Sequence, residues 1–152
     1  RAIGKEPHSD SLTVTKEPAN AEMVRRLKLP HEGPQTLVFV RRRVLADDIP
    51  VLFSTDILPL ALFEEKRLDR IDFSQPIFEI AAAYCHTEIT QTLAHLHAVT
   101  GSPGVRRQLG LRPDQALLRL DETCYSRLCK PVICCQTWYT DFFDFAMVRK
   151  LL

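Results

Sequence analysis

The stretch VFVRRRVLADDIPVLFSTDILP, Val38 to Pro59, decides how this chain is read. Side chains along a β-strand alternate between its two faces. One face then carries Val38, Val40, Arg42 and Val44, and the other Leu37, Phe39, Arg41, Arg43 and Leu45. Asp47-Asp48 is polar turn chemistry, and Pro50 restarts the chain as an extended segment. The expected element is a β-hairpin from Leu37 to Ile57 with a slightly long turn. Arg42 is the odd residue on a valine face. A lone buried guanidinium is costly unless an anion satisfies it. Two partners fit: an internal carboxylate, or the phosphate or carboxylate of a bound ligand. Arg41 and Arg43 read as a solvated or helix-covered face.

Working outward, 152 residues at 45% hydrophobic composition fit one compact domain, 1–152, with a real core. Lys+Arg number 20 against 19 Asp+Glu. That balance lacks the basic face of a nucleic-acid binder, so any DNA contact belongs to a part of the protein outside this chain. No apolar run approaches the roughly 18–20 residues of a membrane span, and no secretory signal pattern is present. The chain opens at Arg1 rather than Met, which fits a piece of a longer protein. Cys85, Cys124, Cys129, Cys134 and Cys135 make an odd count, several of them in apolar runs. They read as buried free thiols in a reducing cytoplasm. The adjacent Cys134 and Cys135 face opposite ways on a strand.

The rest of the chain supplies partners for the hairpin. SLTVT, Ser11 to Thr15, reads as a short strand. Pro18-Ala19-Asn20 opens a helix with Asn20 as N-cap and Met23, Val24 and Leu27 at helical spacing. HEGPQ is a loop. Pro59 to Asp69 is amphipathic and expected helical. A second short helix follows Ser74-Gln75-Pro76, and Cys85 to Val99 reads as a long strand. VRRQLGL is a short helix stopped by Gly110. ALLRLDETCYS and PVICCQTWYTDFF form a second hairpin across RLCK. Strand-rich order with helices between hairpins predicts an α+β fold around an antiparallel sheet.

Catalytic patterns are absent: there is no G-x-S-x-G, H-E-x-x-H, glycine-rich phosphate loop or C-x-x-C. His95 and His97 share a strand face and, with His86, could hold a metal; the simpler reading is surface or edge histidines. Asp121 and Glu122 lie on opposite faces, so they are not a catalytic pair. They read as one solvated group and one internal ion-pair partner.

The order of motifs adds a resemblance. A strand with arginine, then A-D-x-x-P, a closing T-D-I-L-P, S-x-P-I-F-E-I, L-G-L, L-x-x-D-E-x-x-Y, K-P-V and W-Y-x-D-x-F-x-F succeed one another. From about Ser11 onward this resembles the UTRA (UbiC transcription regulator-associated) domain of GntR/HutC-type bacterial transcription regulators. The resemblance implies a chorismate-lyase-like fold with packed helices, a homodimer, and a small-molecule effector, carboxylate or phosphate. It implies no enzyme activity, no cofactor or metal, and DNA binding through an N-terminal winged helix-turn-helix not in this chain. A chorismate-lyase-like enzyme and a purely structural dimerisation module are the rival readings. Aligning on Ala46-Asp47 and Pro50 places the first arginine of the family's R-x-R at Arg42 and the second at Val44. A family glutamate falls on Ser54, and a serine-rich loop on Ser74, with Pro76 replacing a second serine. In the C-terminal pattern, Asp141 and Phe145 match and Phe143 replaces a tyrosine. Losing one arginine and one serine weakens a phosphate cradle and favours a carboxylate or a mainly apolar ligand. Tyr84, Tyr125 and Tyr139 could add hydroxyls and flat walls, or simply pack in the core.

Overall fold

A computed structural model describes residues 7–33 and 35–146. Six strands form one sheet. They are β1 (Pro7–Pro18), β2 (Thr36–Ala46), β3 (Ile49–Pro59), β4 (Ile89–Val99), β5 (Leu117–Ser126) and β6 (Pro131–Tyr139). Their order is β1-β2-β3-β6-β5-β4, every neighbouring pair antiparallel. Among the described residues three α-helices accompany them: α1 (Ala21–Arg26), α2 (Ile77–Tyr84) and α3 (Pro103–Leu109). The α+β antiparallel architecture expected from the hairpins is the one observed.

The β2–β3 turn differs from expectation in an instructive way. It is tight, not long: Ala46 pairs with Ile49 around Asp47 and Asp48, whose φ values are 48° and 65°. Both central residues in the left-handed region make the hairpin turn that suits twisted strands, and Asp tolerates it. The extra residue sits inside the strand. Leu45 pairs with Pro50 but Val44 with Leu52, so Val51 forms a bulge. Its freed carbonyl accepts the Thr140 backbone N–H and hydroxyl, each at 3.0 Å, which fastens the end of β6 to β3.

The two faces of the sheet are covered by different helices. On one, Val38, Val40, Leu58, Cys124, Ile133 and Cys135 pack against Ile77, Ile80 and Ala81 of α2. Those α2 positions repeat at i, i+3 and i+4, one helical face. On the other, Met23 and Leu27 cover Leu37, Phe39, Ile57 and Cys134. Val105 and Leu109 of α3 cover Leu117, Phe53 and Trp138. Cys134 and Cys135 face opposite ways, as alternation requires. Among the described residues all five cysteines are free; Cys129 is exposed, contrary to the buried-thiol expectation, because it lies in the β5–β6 turn at φ 55°.

Three element boundaries need correction. Pro59 to Asp69 is not one α-helix but two 3-10 segments, Leu60–Leu62 and Glu65–Arg70. Phe63 between them is extended, and burial of Phe63, Leu68 and Ile71 fits no single helical stripe. The strand expected from Cys85 begins at Ile89, because Cys85 N–H and Thr87 N–H both donate to the Ala81 carbonyl and finish α2. β1 runs well beyond Ser11–Thr15 at both ends, since all of β2 is available to pair with it.

Candidate functional site

The bulge at Val51 sets which residues of β3 share a face with Arg42. Read across β2, β3, β6 and β5, Arg42, Ser54, Thr137 and Leu120 stand in one row. Val40, Asp56, Cys135 and Glu122 form the next row, and Val44, Leu52, Tyr139 and Leu118 the one beyond. These rows face α2. The centre of an otherwise apolar face is therefore polar: Arg42, Ser54, Asp56, Glu122, Cys135, Thr137 and Tyr139.

Arg42 is clasped on three sides. Its Nη1 donates to Asp56 Oδ2 at 3.3 Å, its Nε to the Phe73 carbonyl at 3.1 Å, and its Nη2 to the Gln75 carbonyl at 3.0 Å. The side chains of Arg42 and Asp56 are 11% and 7% exposed, so this ion pair is buried. One guanidinium thus joins the sheet to the loop that leads into α2. Of the two partners open to Arg42 from sequence, the internal carboxylate is present. Burial pushes the Asp56 carboxyl up; the Arg42 charge and the Cys135 thiol act the other way without cancelling it. Glu122 is pushed up as well, by burial and by the nearby Asp56 charge, with a hydrogen bond from Thr92 opposing. Cys135 is raised by its contact with Cys124, whose sulfur is 3.8 Å away, and by burial.

The other expected site residues are placed unequally. Ser54 lies beside Arg42 and is buried. Ser74 lies between the two carbonyls that hold Arg42, and its hydroxyl donates to Asp72 Oδ1 at 2.6 Å. Tyr139 is half-buried, and burial raises its hydroxyl, aided by Glu122 and Asp56. Phe143 and Phe145 meet its ring edge-on, centroids 5.1 and 4.9 Å away. Tyr84 ends α2 and packs against the core with the helix layer. Tyr125 is not brought to Arg42: it stands five residues along β5 from Leu120, roughly 16 Å at about 3.3 Å per residue. Asp56, Glu122 and Thr137 escaped sequence reasoning as members of this cluster.

The remaining charged candidates lie elsewhere. Arg41 pairs with Glu17 at 2.8 Å and Arg43 with Asp10, both at the β1 side of the other face. Asp121 and Glu122 do face opposite ways: Asp121 meets Arg119, Gln136 and His97 under α1. His95 and His97 are on β4, whereas His86 sits before it. Among the described residues no three His, Cys, Asp or Glu side chains group closely enough to hold a metal.

The UTRA domain profile matches residues 2–141. The chain belongs to the UTRA domain family. Its fold is shared by solved domains of GntR-family regulators. PhnF from Mycobacterium smegmatis superposes with a TM-score of 0.85 at 14% identity, over 97% of this chain and 64% of that one. The effector domain of the same PhnF gives 0.79 at 13% identity, covering 97% and 88%. A GntR-family transcriptional regulator from Enterococcus faecalis V583 gives 0.74 at 21% identity, covering 95% and 100%. No curated protein is detectably similar in sequence. Among the described residues of this UTRA domain no helix is long and apolar enough to cross a membrane, which says nothing of β-barrels.

Proposed function

We propose that this UTRA domain is the ligand-sensing and dimerisation half of a cytoplasmic GntR/HutC-type transcription regulator, and not an enzyme. A small carboxylate- or phosphate-bearing metabolite binds on the Arg42 face. The observation that carries the reading is the triple clasp of Arg42 by Asp56, Phe73 and Gln75. An incoming anion replaces Asp56 on Arg42 and alters the hold on the loop into α2. Ligand occupancy thereby becomes a change in helix position, the kind of two-state coupling a sensor needs. Ser54, Ser74 and Tyr139 supply further hydrogen bonds, Phe143 an apolar wall and Tyr84 packing from the helix layer; Tyr125 lies further out along β5. DNA is held by an N-terminal domain outside this chain. The edge strand β4 offers Leu93 and Leu96, each 52% exposed, to a second copy.

A second reading has its own support. Arg42 already has an internal carboxylate, as a structural dimerisation module without effector would require. A thermal-shift screen of sugar phosphates, carboxylates and fatty acids separates the two. A ligand present at about 100 times its Kd stabilises by about 2.7 kcal/mol. The sensor reading expects one class to raise the Tm of the wild type and not of Arg42→Gln. Silence across the panel supports the structural module.

A further inference from the structure

The face of the sheet under α1 holds a separate polar cavity of about 520 Å³. Glu22, Met23 and Arg26 lie on its α1 side, and Arg41, Arg119, Asp121 and Gln136 come from the strands, so two carboxylates, Glu22 and Asp121, line it beside the arginines. Three guanidinium groups therefore meet in one cavity. Arg26 Nη2 donates to the Glu122 carbonyl at 2.9 Å and to Thr123 Oγ1 at 3.2 Å, and its nearest carboxylate, the exposed Glu22, is 3.8 Å from Nη1. Arg41 is matched by Glu17 and Thr15 and lies over the Phe39 ring, 4.8 Å from its centroid. Arg119 Nη2 donates to Asp121 Oδ2 at 2.9 Å.

Asp121 has little left to offer. Its two oxygens also meet Gln136 Nε2 at 2.8 Å and His97 Nε2 at 3.3 Å. Arg119 Nε, by contrast, is buried and has no hydrogen-bond partner among the described residues. An unmet buried donor is unfavourable by about 1–3 kcal/mol, and such groups in native structures call for an explanation. Arg119 also lines the neighbouring cavity of about 670 Å³ beside Trp138 and Gly101, so it stands between two spaces large enough for a metabolite.

We propose that the α1-side cavity is a second ligand site, for a small oxyanion-bearing metabolite, with Arg119 and Arg26 as its principal donors and Arg41 at its rim. The fork of a guanidinium matches the paired oxygens of a carboxylate or phosphate. The site is independent of the Arg42 face, because Arg42 and Arg119 project from opposite sides of the sheet. The test is an NMR titration of the ¹⁵N-labelled chain with succinate and, separately, inorganic phosphate, following the arginine Nε–H signals. Arg119→Gln and Arg42→Gln are titrated alongside. The expected result is a saturable shift of the Arg119 and Arg26 signals in the wild type and in Arg42→Gln, and in Arg119→Gln a shift of the remaining Arg26 signal that needs about tenfold or more anion. The anion that saturates at the lower concentration identifies carboxylate or phosphate. No saturable shift with either anion overturns the proposal, as does binding unchanged in Arg119→Gln or lost only in Arg42→Gln. If Arg119→Gln fails to fold by circular dichroism, Arg26→Gln is read by the same criteria.

Discussion

Arg42 and Asp56 form a pair whose two halves depend on each other. Removing one leaves the other buried and unmatched, which is destabilising by about 3–5 kcal/mol. Arg42→Met should therefore lower stability by that amount in urea unfolding. Arg42→Met combined with Asp56→Leu should recover much of it, because well-packed apolar residues replace buried pairs at small cost. The raised carboxyls make a second prediction. Asp56 and Glu122 bind protons more tightly folded than unfolded. Their contribution to stability is full below the ordinary carboxylate range and is lost as pH rises through their elevated folded values. Glu122→Gln should flatten that decline in thermal melts taken from pH 4 upward. The anomaly of Arg42 was legible from strand alternation alone. Its partner was not, because the Val51 bulge decides it. Without the extra residue, Phe53, Thr55 and Ile57 would share the face of Arg42; with it, Ser54, Asp56 and Leu58 do.

At the scale of elements, caps were the most readable signals. Asn20 Oδ1 accepts the Met23 N–H at 2.9 Å and starts α1 where its sequence position indicated. A six-residue helix depends on such a cap, so Asn20→Ala should reduce stability by about 1 kcal/mol in chemical denaturation. Gly110 ends α3 in the left-handed conformation, φ 59°, as read. Gly101, in the GSPG stretch that reads as a loop, is the more constrained: at φ 75°, an added Cβ would lie 2.9 Å from Leu117 Cδ1. Gly101→Ala should lower the Tm, through backbone strain and displacement of Leu117, by more than Asn20→Ala does. The segment after Pro59 was misjudged for a physical reason. Its amphipathic composition suits a helix, but the core takes Phe63, Leu68 and Ile71 at spacings only a broken 3-10 path supplies. Local propensity yields there to tertiary packing.

For the whole molecule, two hairpins joined at β3 and β6 produce a sheet with one polar cluster at the centre of each face. The α2-side cluster was partly legible, through Arg42, Ser54 and Tyr139. The α1-side cluster was not, because Arg26, Arg41 and Arg119 come from three separate elements and meet only through the strand order. Family membership explains the sheet; the chemistry of each cluster belongs to this chain. On the proposed function, Asp56 holds the place of an effector anion on Arg42. Isothermal titration of the carboxylate and phosphate panel into the wild type and Asp56→Asn tests it most directly. Removing the internal competitor should tighten anion binding several-fold in Asp56→Asn. Equal or weaker binding in Asp56→Asn, or no binding to either protein, would contradict it.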